Sequence, residues 1–480
     1  MIVVWIIVGV VAVCAAAVII RTATQKAPAP SKRSYVPNAE LEKACGEKLG
    51  AMVRVPTLSK NENEDLSEFY RLHGELERLF PLIHKNLEKT VLGGNLIYRW
   101  AGKDSGAKPI LLMGHQDVVP ASDEGWSVGA FSGAVKEGCI YGRGAMDCKS
   151  TMLVELEAVE RLLAEGFVPE CDVYLEYSIN EETSGSGASM AVEWFRERGI
   201  SFAIVLDEGG AVIEQAVPGM DRPYAVVGIT EKGYVDVKIS ASGKGGHSST
   251  PPRHTPAARL FAFAAEVEKR RPFRKAIIPE TKAMFAALAP SFSFGLRMVL
   301  CNLWLFRGVL KAVMPRISSF GEAMLATTCC FTMMEGSQKA NVIPKEPYLV
   351  ANLRPSVHQN SDESLRVLKK YADKYDLKIE VLTKRDASPV SNIASKEYAY
   401  LCECIREHYP DCGVSPYVIM GGTDCRHYHE ISENALRFSP VRMTNAQMAS
   451  CHAVDENVSV DALAEGVEFF IRFLKGWKNI

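Results

Sequence analysis

The stretch Pro-Ile-Leu-Leu-Met-Gly-His-Gln-Asp, residues 109–117, joins a short apolar run to a histidine and an aspartate. Two later runs have the same form: residues 172–179 alternate like a strand just before Glu181-Glu182, and residues 202–206 are apolar and end at Asp207. Each pattern predicts a strand that delivers polar side chains at its carboxyl end. That edge is where open α/β sheets bind their ligands.

One acid and one histidine complete the pattern. Asp147 follows a glycine-rich loop and precedes a helical pattern from about Ser150 to Leu163, and His452 lies near the end of the chain. The apolar strands and helical patterns together predict an α/β fold, a doubly wound mixed sheet with helices on both faces.

These side chains have the chemistry of a two-zinc site. Zinc binds histidine nitrogen and carboxylate oxygen, and a catalytic zinc keeps one position open for water. Two neighbouring zinc ions need a shared ligand, and Asp147 can bridge them. The remaining ligands divide into two pairs, His115 with Asp207 for one ion and Glu182 with His452 for the other.

Asp117 and Glu181 are left outside both ligand sets. Asp117 lies two residues after His115 and can hold its second imidazole nitrogen from the outer shell, and Glu181 is free to act as a base. Taken alone, a His-X-Asp is usually a surface pair, a Glu-Glu a solvated face, and an Asp after a strand a turn or a cap. The conjunction, in which each piece ends a strand, favours the metal site. Cys148 and Cys451 flank two ligands, where either thiol can compete for zinc or remain a buried structural thiol.

Composition excludes several functional classes. The 480 residues, 47% hydrophobic and 23% charged, are typical of a globular protein of more than one domain. A net charge of −2 does not indicate a protein that binds nucleic acid. The chain has 13 cysteines, an odd number, and their spacing does not match that of a disulfide-stabilised domain.

Residues 1–20 carry no charged side chain and are almost entirely apolar. A helix of about 20 apolar residues is long enough to span a bilayer. This segment predicts a single transmembrane helix, with residues 1–21 as the anchor and 2–20 in the lipid bilayer. A cleaved signal peptide is the alternative, although its charged leading region is missing. Residues 22–38 are typical of a linker. Basic residues after the span place the body on the cytoplasmic side, and the cysteine usage agrees.

The middle of the chain predicts a second unit. Residues 234–240 alternate like a strand, a helix runs from about Thr255, its N-cap, to Lys269, and residues 348–353 form a last strand. We therefore expect an inserted α+β sandwich domain at 232–355 between two catalytic segments, 39–231 and 356–480.

An apolar insertion, roughly residues 285–334, lies within this unit. Helices that pack on the inserted domain are the ordinary interpretation. The alternative is an apolar roof that receives a bulky hydrophobic acyl group or rests on the membrane. On that alternative, replacing Trp304 and Phe306 by Ser weakens long-chain substrates selectively.

The ligand motifs, from His115 to His452, resemble those of the co-catalytic dizinc peptidase and aminoacylase family, from about residue 40 to the C-terminus. The length of the chain and the segment Gly421-Gly422-Thr423-Asp424 are most similar to the branch of carboxypeptidase S and the N-fatty-acyl-amino-acid hydrolases. The resemblance implies a zinc-exopeptidase-like fold and two Zn²⁺ per chain, for which Co²⁺ or Mn²⁺ can substitute. It also implies Glu181 as general base, Asp117 as outer-shell partner and Gly422 at the substrate.

The same resemblance assigns roles in the inserted unit, which is similar to the family's lid domain. His247 would stabilise the oxyanion with help from Asn341, and Arg354 would receive the substrate carboxylate, which a planar guanidinium matches bidentately. Taken alone, His247 and Arg354 are ordinary surface residues. In several relatives the lid histidine reaches across a dimer, which makes a homodimer through the lid an arrangement to test. Close relatives act in a vacuole lumen or outside the cell, which keeps a lumenal or extracellular body open.

The sequence therefore predicts a membrane-anchored metallohydrolase, a metallocarboxypeptidase or aminoacylase, that cleaves a C-terminal peptide bond or the amide of an N-acyl amino acid. A metal-bridging water would give its proton to Glu181 and attack the carbonyl carbon. One alternative is a deacylase or desuccinylase of a small polar metabolite, against which the apolar insertion argues. The other is a non-catalytic, metal-stabilised binding protein, whose signature would be a lost ligand or base.

Overall fold

The computed structural model describes residues 1–59 and 65–478. Within them, strands and helices alternate along the chain. The helices are α1 (Ile2–Thr24), α2 (Ala39–Val53), α3 (Ser67–Leu79), α4 (Pro81–Asn86), α5 (Lys149–Ala164), α6 (Gly187–Glu197), α7 (Pro256–Arg270), α8 (Pro279–Leu288), α9 (Phe294–Cys301), α10 (Leu303–Ile317), α11 (Ser319–Leu325), α12 (Ser361–Lys374), α13 (Lys396–His408), α14 (Cys425–Tyr428), α15 (Asn445–Ser450) and α16 (Val460–Gly476), with a 3₁₀ turn at Ala289–Ser291. The strands are β1 (Glu88–Leu92), β2 (Asn95–Trp100), β3 (Ile110–His115), β4 (Ala134–Lys136), β5 (Cys139–Tyr141), β6 (Val173–Ser178), β7 (Ile204–Asp207), β8 (Val212–Ile213), β9 (Tyr224–Glu231), β10 (Tyr234–Ser240), β11 (Gly246–His247), β12 (Thr328–Glu335), β13 (Val342–Ile343), β14 (Tyr348–Arg354), β15 (Lys378–Arg385), β16 (Gly413–Ile419), β17 (Ala435–Arg437), β18 (Arg442–Met443) and β19 (Asn457–Ser459).

The central sheet has 10 strands in the order β1-β2-β6-β3-β7-β17-β9-β8-β18, with β16 paired to β9. β3 runs parallel to both β6 and β7, whereas β2 pairs antiparallel with β1 and with β6. The predicted mixed α/β sheet is confirmed. The strands predicted at 109–113, 172–179 and 202–206 are β3, β6 and β7, and the predicted helix after Asp147 is α5.

β3 shows how helices come to cover both faces of this sheet. All of its residues are buried. Ile110 and Leu112 belong to the hydrophobic core that also contains α5 and α16, whereas Leu111 and Met113 belong to a separate core that contains α6. Because successive side chains of a strand point to opposite faces, one unbroken apolar run contributes to two cores.

A second sheet has the order β12-β14-β10-β15 and is antiparallel throughout. It has its own core, to which α7 and α12 contribute Phe263 and Leu368. The predicted N-cap of α7 is present, since the side chain of Thr255 accepts a hydrogen bond from the backbone N–H of Ala258. The strands predicted at 234–240 and 348–353 are β10 and β14.

Two elements of this second layer follow residue 355, at which the sequence places the end of the inserted domain. The strand β15 pairs with β10 in register from Tyr234–Arg385 to Ser240–Lys378, and α12 packs beneath the same sheet. The division into domains stays a prediction, and we propose Arg385 in place of residue 355 as the end of this unit.

The apolar insertion forms α8 to α11. Its buried side chains pack against Tyr224 and Val226 of β9 in the central sheet, and α8 lies along β16. The ordinary interpretation, helices that only cover the inserted domain, therefore does not describe it. The insertion covers the part of the central sheet that borders the predicted ligands.

The N-terminal helix α1 is long and apolar enough to cross a membrane, and both a membrane anchor and a signal sequence have this composition. The segment after it is fixed to the body. The backbone N–H of Ala27 donates to the carbonyl of Pro290 over 3.1 Å, and Arg33 pairs with Asp461 and Glu465 of α16.

Candidate metal centre

Three strand ends bring predicted ligands to one edge of the central sheet. β3 ends at His115, β7 ends at Asp207, and β6 ends at Ser178, just before Glu181-Glu182. Because these strands are parallel neighbours, their carboxyl ends lie side by side.

The loop before α5 places Asp147 at the same edge. Gly144 has φ +83°, and a Cβ there would lie 2.5 Å from Cγ1 of Val118, so the tight loop needs glycine. The carboxylate of Glu456 accepts hydrogen bonds from the backbone N–H groups of Met146 and Asp147 over 2.9 and 3.1 Å. A buried acid from the far end of the chain thus fixes the backbone of Asp147.

Asp147 lies between two imidazoles. Its Oδ1 is 3.0 Å from Nε2 of His115, and its Oδ2 is 3.0 Å from Nε2 of His452. Each carboxylate oxygen therefore faces a different histidine, which is the arrangement expected of a bridging ligand.

Glu182 adds a carboxylate on the His452 side. Its Oε2 lies 3.3 Å from Nε2 of His452. Its Oε1 is buried without a hydrogen-bond partner among the described residues. A buried carboxylate oxygen without a donor is costly unless a cation or a proton is bound to it, so this atom fits a metal ion.

Asp117 organises the site from outside. Its Oδ1 lies 3.4 Å from Nδ1 of His115. The same carboxylate accepts the backbone N–H groups of Glu181 and Glu182, each over 3.1 Å, and the hydroxyl of Ser59 over 2.7 Å. Asp117 thus holds both the first histidine and the loop that carries the two glutamates.

Asp207 and its neighbour Glu208 occupy different environments. Both oxygens of Asp207 accept backbone N–H groups, from Glu208 over 2.8 Å and from Cys425 over 2.9 Å. Burial and then the charge of Asp424 raise the pKa of Asp207 to about 7. Burial also raises the pKa of Glu208, and the charge of Asp147 adds to that rise. Glu208, but not Asp207, lines the same cavity as Asp147, so Glu208 is a second candidate ligand.

The electrostatics of the cluster favour bound cations. Hydrogen bonds that the His452 ring donates to the carboxylates of Asp147 and Glu182 raise the pKa of His452 to about 10. Ligand atoms of His115, Asp147 and Cys148 lie within 4.8 Å of one another, and so do those of Asp147, Cys451 and His452. The donor set of imidazole nitrogen and carboxylate oxygen therefore fits zinc ions.

The two flanking thiols are held by hydrogen bonds. Cys148 accepts the backbone N–H of His115 over 3.1 Å, and Cys451 donates to Oδ2 of Asp147 over 3.4 Å. Burial raises the pKa of both thiols. Both side chains therefore favour the neutral thiol over the thiolate that zinc binds.

Glu181 has surroundings that differ from those of Glu182. Burial raises its pKa well above the usual value, and the charges of Asp424 and Asp147 add to that rise. Its Oε1 lies 4.0 Å from a guanidinium nitrogen of Arg426. A buried carboxylate of raised pKa beside a group of candidate metal ligands is a candidate general base.

Arg426 lies beside Glu181, and two further arginines share the ring of Tyr234. The guanidinium carbons of Arg354 and Arg385 lie 4.6 and 5.7 Å from the ring centre of Tyr234. Burial and the charge of Arg426 lower the pKa of Arg385. Because guanidinium groups bind carboxylates bidentately, these arginines are candidates to bind a carboxylate.

Gly422 lies among these charges. A Cβ there would be 3.2 Å from Arg385 and 3.4 Å from Glu231. The loop is fixed by Glu231 at the end of β9, which accepts the backbone N–H of Thr423 over 2.9 Å and pairs with the buried Arg437. The loop backbone can therefore come close to a bound substrate.

The structure brings His247 and Asn341 together in the inserted unit. β11 pairs with β13, so that His247 lies opposite Val342, and the backbone N–H of Ser248 donates to the carbonyl of Asn341 over 3.1 Å. The His247 ring is exposed and lies 2.8 Å from the hydroxyl of Ser249.

A large apolar cavity adjoins the candidate metal ligands. Its volume is about 960 Å³, and Asp147, Cys148 and Glu208 line one part of it. Most of the wall comes from the insertion. The lining residues of α10 include Val309, Val313 and Ile317, which follow one helix face at intervals of four. Trp304 and Phe306, the residues singled out in the sequence, are not part of this wall.

Sequence reasoning missed Glu208, Arg385 and Arg426. Glu208 directly follows a predicted ligand, and Arg426 follows the segment Gly421–Asp424, so both adjoin motifs that were visible. Arg385 ends β15, and only the pairing of β15 with β10 brings it to Tyr234.

Comparisons with known proteins agree with this geometry. The model of Peptidase family M20/M25/M40 matches residues 111–476. The probable carboxypeptidase S-like 2 of Dictyostelium discoideum is 32% identical over 92% of this chain and 86% of its own. An N-fatty-acyl-amino acid synthase/hydrolase of Xenopus tropicalis is 34% identical over 89% of this chain and 85% of its own. The crystal structure of an M20 family metallo-carboxypeptidase from Sulfolobus solfataricus has a TM-score of 0.67 at 17% identity, over 92% of this chain and 99% of that one.

Proposed function

Because the chain belongs to Peptidase family M20/M25/M40, and is thereby a metal-dependent hydrolase, we propose that it is a dizinc enzyme that hydrolyses the amide bond of N-acyl amino acids with long apolar acyl groups. The observation that carries this substrate class is the apolar cavity of about 960 Å³ that borders Asp147. A relative at 34% identity is named for N-fatty-acyl amino acids, which supports the same class.

Cleavage of a C-terminal peptide bond is the second candidate. It is supported by the resemblance to carboxypeptidase S-like relatives, and the same arginines would receive the terminal carboxylate. A small polar acyl group, such as a succinyl group, would leave the apolar wall without a partner. A non-catalytic binding protein would not need Glu181, which is not among the proposed ligands.

The proposed ligands are His115, Asp147, Glu182, His452 and one acid of the Asp207-Glu208 pair, with Asp147 as the bridge. When bound, zinc ions at such a site acidify water and polarise the scissile carbonyl. Co²⁺ or Mn²⁺ suits the same set of oxygen and nitrogen donors.

The other residues position the substrate and move protons. Glu181 accepts a proton from the attacking water and returns it to the leaving amine. Arg354, with Arg385 and Arg426 nearby, holds the free carboxylate and thereby selects the bond next to it. Gly422 lets the loop backbone approach the substrate.

His247 and Asn341 are proposed to stabilise the oxyanion. Because the His247 ring is exposed and lies in the inserted unit, a second copy of the chain in a homodimer is the proposed source of this histidine. The helix α1 is proposed as a single-pass anchor with residues 2–20 in the bilayer. The basic residues Arg21, Lys26, Lys32 and Arg33 after it favour a body on the cytoplasmic side, with the lumenal orientation as the alternative.

The test of the chemistry is the variant Glu181→Gln. We expect it to keep its metal and to lose nearly all turnover, roughly a hundredfold or more, because a positioned base contributes about that much. Metal content is measured by plasma mass spectrometry, and hydrolysis with an N-long-chain-acyl amino acid.

Glu182→Gln is the matched control, since it makes the same chemical change one residue away. It should lower the metal content together with activity. Full turnover in Glu181→Gln would remove Glu181 from the mechanism.

A further inference from the structure

The apolar insertion has an unusual charge pattern. From Thr281 to Gly321 the chain has no acidic residue, although basic residues recur throughout: Lys282, Arg297, Arg307, Lys311 and Arg316. Apolar helices whose only charges are basic are typical of segments that lie in the interface of a membrane with anionic lipids.

The outer surface of α9 and α10 is apolar and exposed. Trp304 is 55% and Leu305 50% exposed at the start of α10, and Phe294 is 46% exposed at the start of α9. Trp304, Leu305 and Phe294 do not line the cavity. Leu305 lies one turn before Val309 on the same face of α10, so the exposed apolar surface continues from the cavity wall to the start of α10. Large exposed apolar side chains grouped on one surface mark an interaction site.

The apolar N-terminal helix ends against this helix pair. The side chain of Asn302, between α9 and α10, donates to the hydroxyl of Thr22 over 3.2 Å, and both residues are fully buried. Val18, one turn earlier in α1, is 6% exposed, whereas most of α1 is exposed. A bilayer that contains α1 would therefore end beside Asn302, between the end of α9 and the start of α10.

The cavity reaches the same place. Leu296, Val299 and Leu300 of α9 line it, and α9 is the helix on which α1 packs. One wall of the acyl cavity is thus shared with the helix that contacts the anchor.

We propose that α9 and α10 form a membrane-seated surface, with Phe294, Trp304 and Leu305 in the lipid interface, and that acyl chains pass from that leaflet into the cavity. The occupant of the surface is the lipid leaflet in which α1 ends, and its anionic headgroups pair with Arg307, Lys311 and Arg316. The route of the acyl chain rests on the proposed hydrolytic activity, whereas the seating of the surface rests on the proposed anchor α1 and not on that activity.

The seating is tested by fluorescence on the full-length protein in phosphatidylcholine–phosphatidylserine vesicles. Trp5→Phe first removes the tryptophan of α1. Phosphatidylcholine brominated on its acyl chains then quenches tryptophans that lie in the bilayer. We expect clear quenching in Trp5→Phe, and its loss when Trp304→Phe is added. Equal quenching in the single and double variants would overturn the proposal, because the remaining tryptophans lie in the body of the protein.

The acyl route is tested by kinetics. Trp304→Ser with Leu305→Ser should lower several-fold the hydrolysis of a long-chain N-acyl amino acid held in vesicles, and leave unchanged that of a water-soluble short-chain one. The matched control is Val91→Ser with Leu382→Ser, which removes side chains of similar exposure, 44% and 51%, on distant strands. Equal loss on both substrates, or equal loss in the control, would overturn the route.

The two arms separate the proposals. If no N-acyl amino acid is hydrolysed while Trp304 is quenched by the brominated lipid, the proposed function fails and the membrane surface stands. If hydrolysis is normal and Trp304 is not quenched, the proposed membrane surface fails and the proposed function stands.

Discussion

Asp147 has the central position in the site because two distant parts of the chain fix it. Glu456 holds its backbone, and the imidazoles of His115 and His452 lie 3.0 Å from its two oxygens. Its pKa is lowered: burial alone would raise it, but hydrogen bonds from the two histidines outweigh burial. The carboxylate is therefore ionised and ready to bind cations.

The adjacent acids Asp207 and Glu208 allow a direct test of ligand identity. We expect Glu208→Gln to lower the metal content, because Glu208 lines the same cavity as Asp147 whereas both oxygens of Asp207 accept backbone N–H groups. Metal analysis of the purified variants measures this. Loss of metal in Asp207→Asn, with Glu208→Gln unaffected, would return the role to Asp207.

The role of Arg354 predicts a selective kinetic effect. Arg354→Lys should lower kcat/KM for a substrate with a free carboxylate by about ten- to a hundredfold, the range for a charge-assisted hydrogen bond. The methyl ester of the same substrate should change little, because it has no charge for the guanidinium to bind. An equal loss on acid and ester would contradict carboxylate recognition by Arg354.

For individual residues, the sequence predicts which side chains reach the site where those side chains end a strand. His115 and Asp207 end parallel strands, and that rule needs only hydrophobic patterns. Arg385 and Arg426 could not be assigned in the same way, because nothing local in their sequence shows that Tyr234 and Glu181 lie beside them. The distinction between Asp207 and Glu208 depends on which way the chain turns after β7, which residue type does not determine.

The insertion is the element that departs most from expectation. Its composition predicts apolar helices correctly, but not their partner, since the helices pack on β9 and β16 of the central sheet. Apolar periodicity indicates which face of a helix is buried and not what covers it. As a result, the cavity wall is formed by the face of α10 with Val313 and Ile317 rather than by Trp304 and Phe306.

This wall predicts an effect that depends on chain length. Val313→Ser with Ile317→Ser should lower kcat/KM for long-chain N-acyl substrates by about ten- to a hundredfold, the usual cost of lost apolar contacts in a binding pocket. Acetylated substrates should be unaffected, because they do not reach α10. The measurement is a series of acyl lengths on one amino acid. A loss that is the same at every length would mean that the two residues support the fold and not the substrate.

The whole molecule combines a central sheet that carries the predicted ligands with a second sheet that carries Arg354 and Arg385. The sequence predicts both layers and ends the second at residue 355, where we propose Arg385 instead. The pairing of Tyr234 with Arg385 joins residues far apart, and local patterns carry no information on such pairs. The helix α1, its contact with α9 and the cavity behind α9 place the proposed membrane anchor, the proposed acyl chamber and the candidate metal site in one continuous arrangement.

We propose that this arrangement serves long-chain N-acyl amino acids. This is tested by the hydrolysis rate of the zinc-loaded full-length protein on paired substrates, N-long-chain-acyl amino acids and dipeptides that share the same C-terminal residue. We expect a higher kcat/KM for the acyl series. A higher kcat/KM for the dipeptides would contradict it, and would make the protein a carboxypeptidase whose apolar cavity has another purpose.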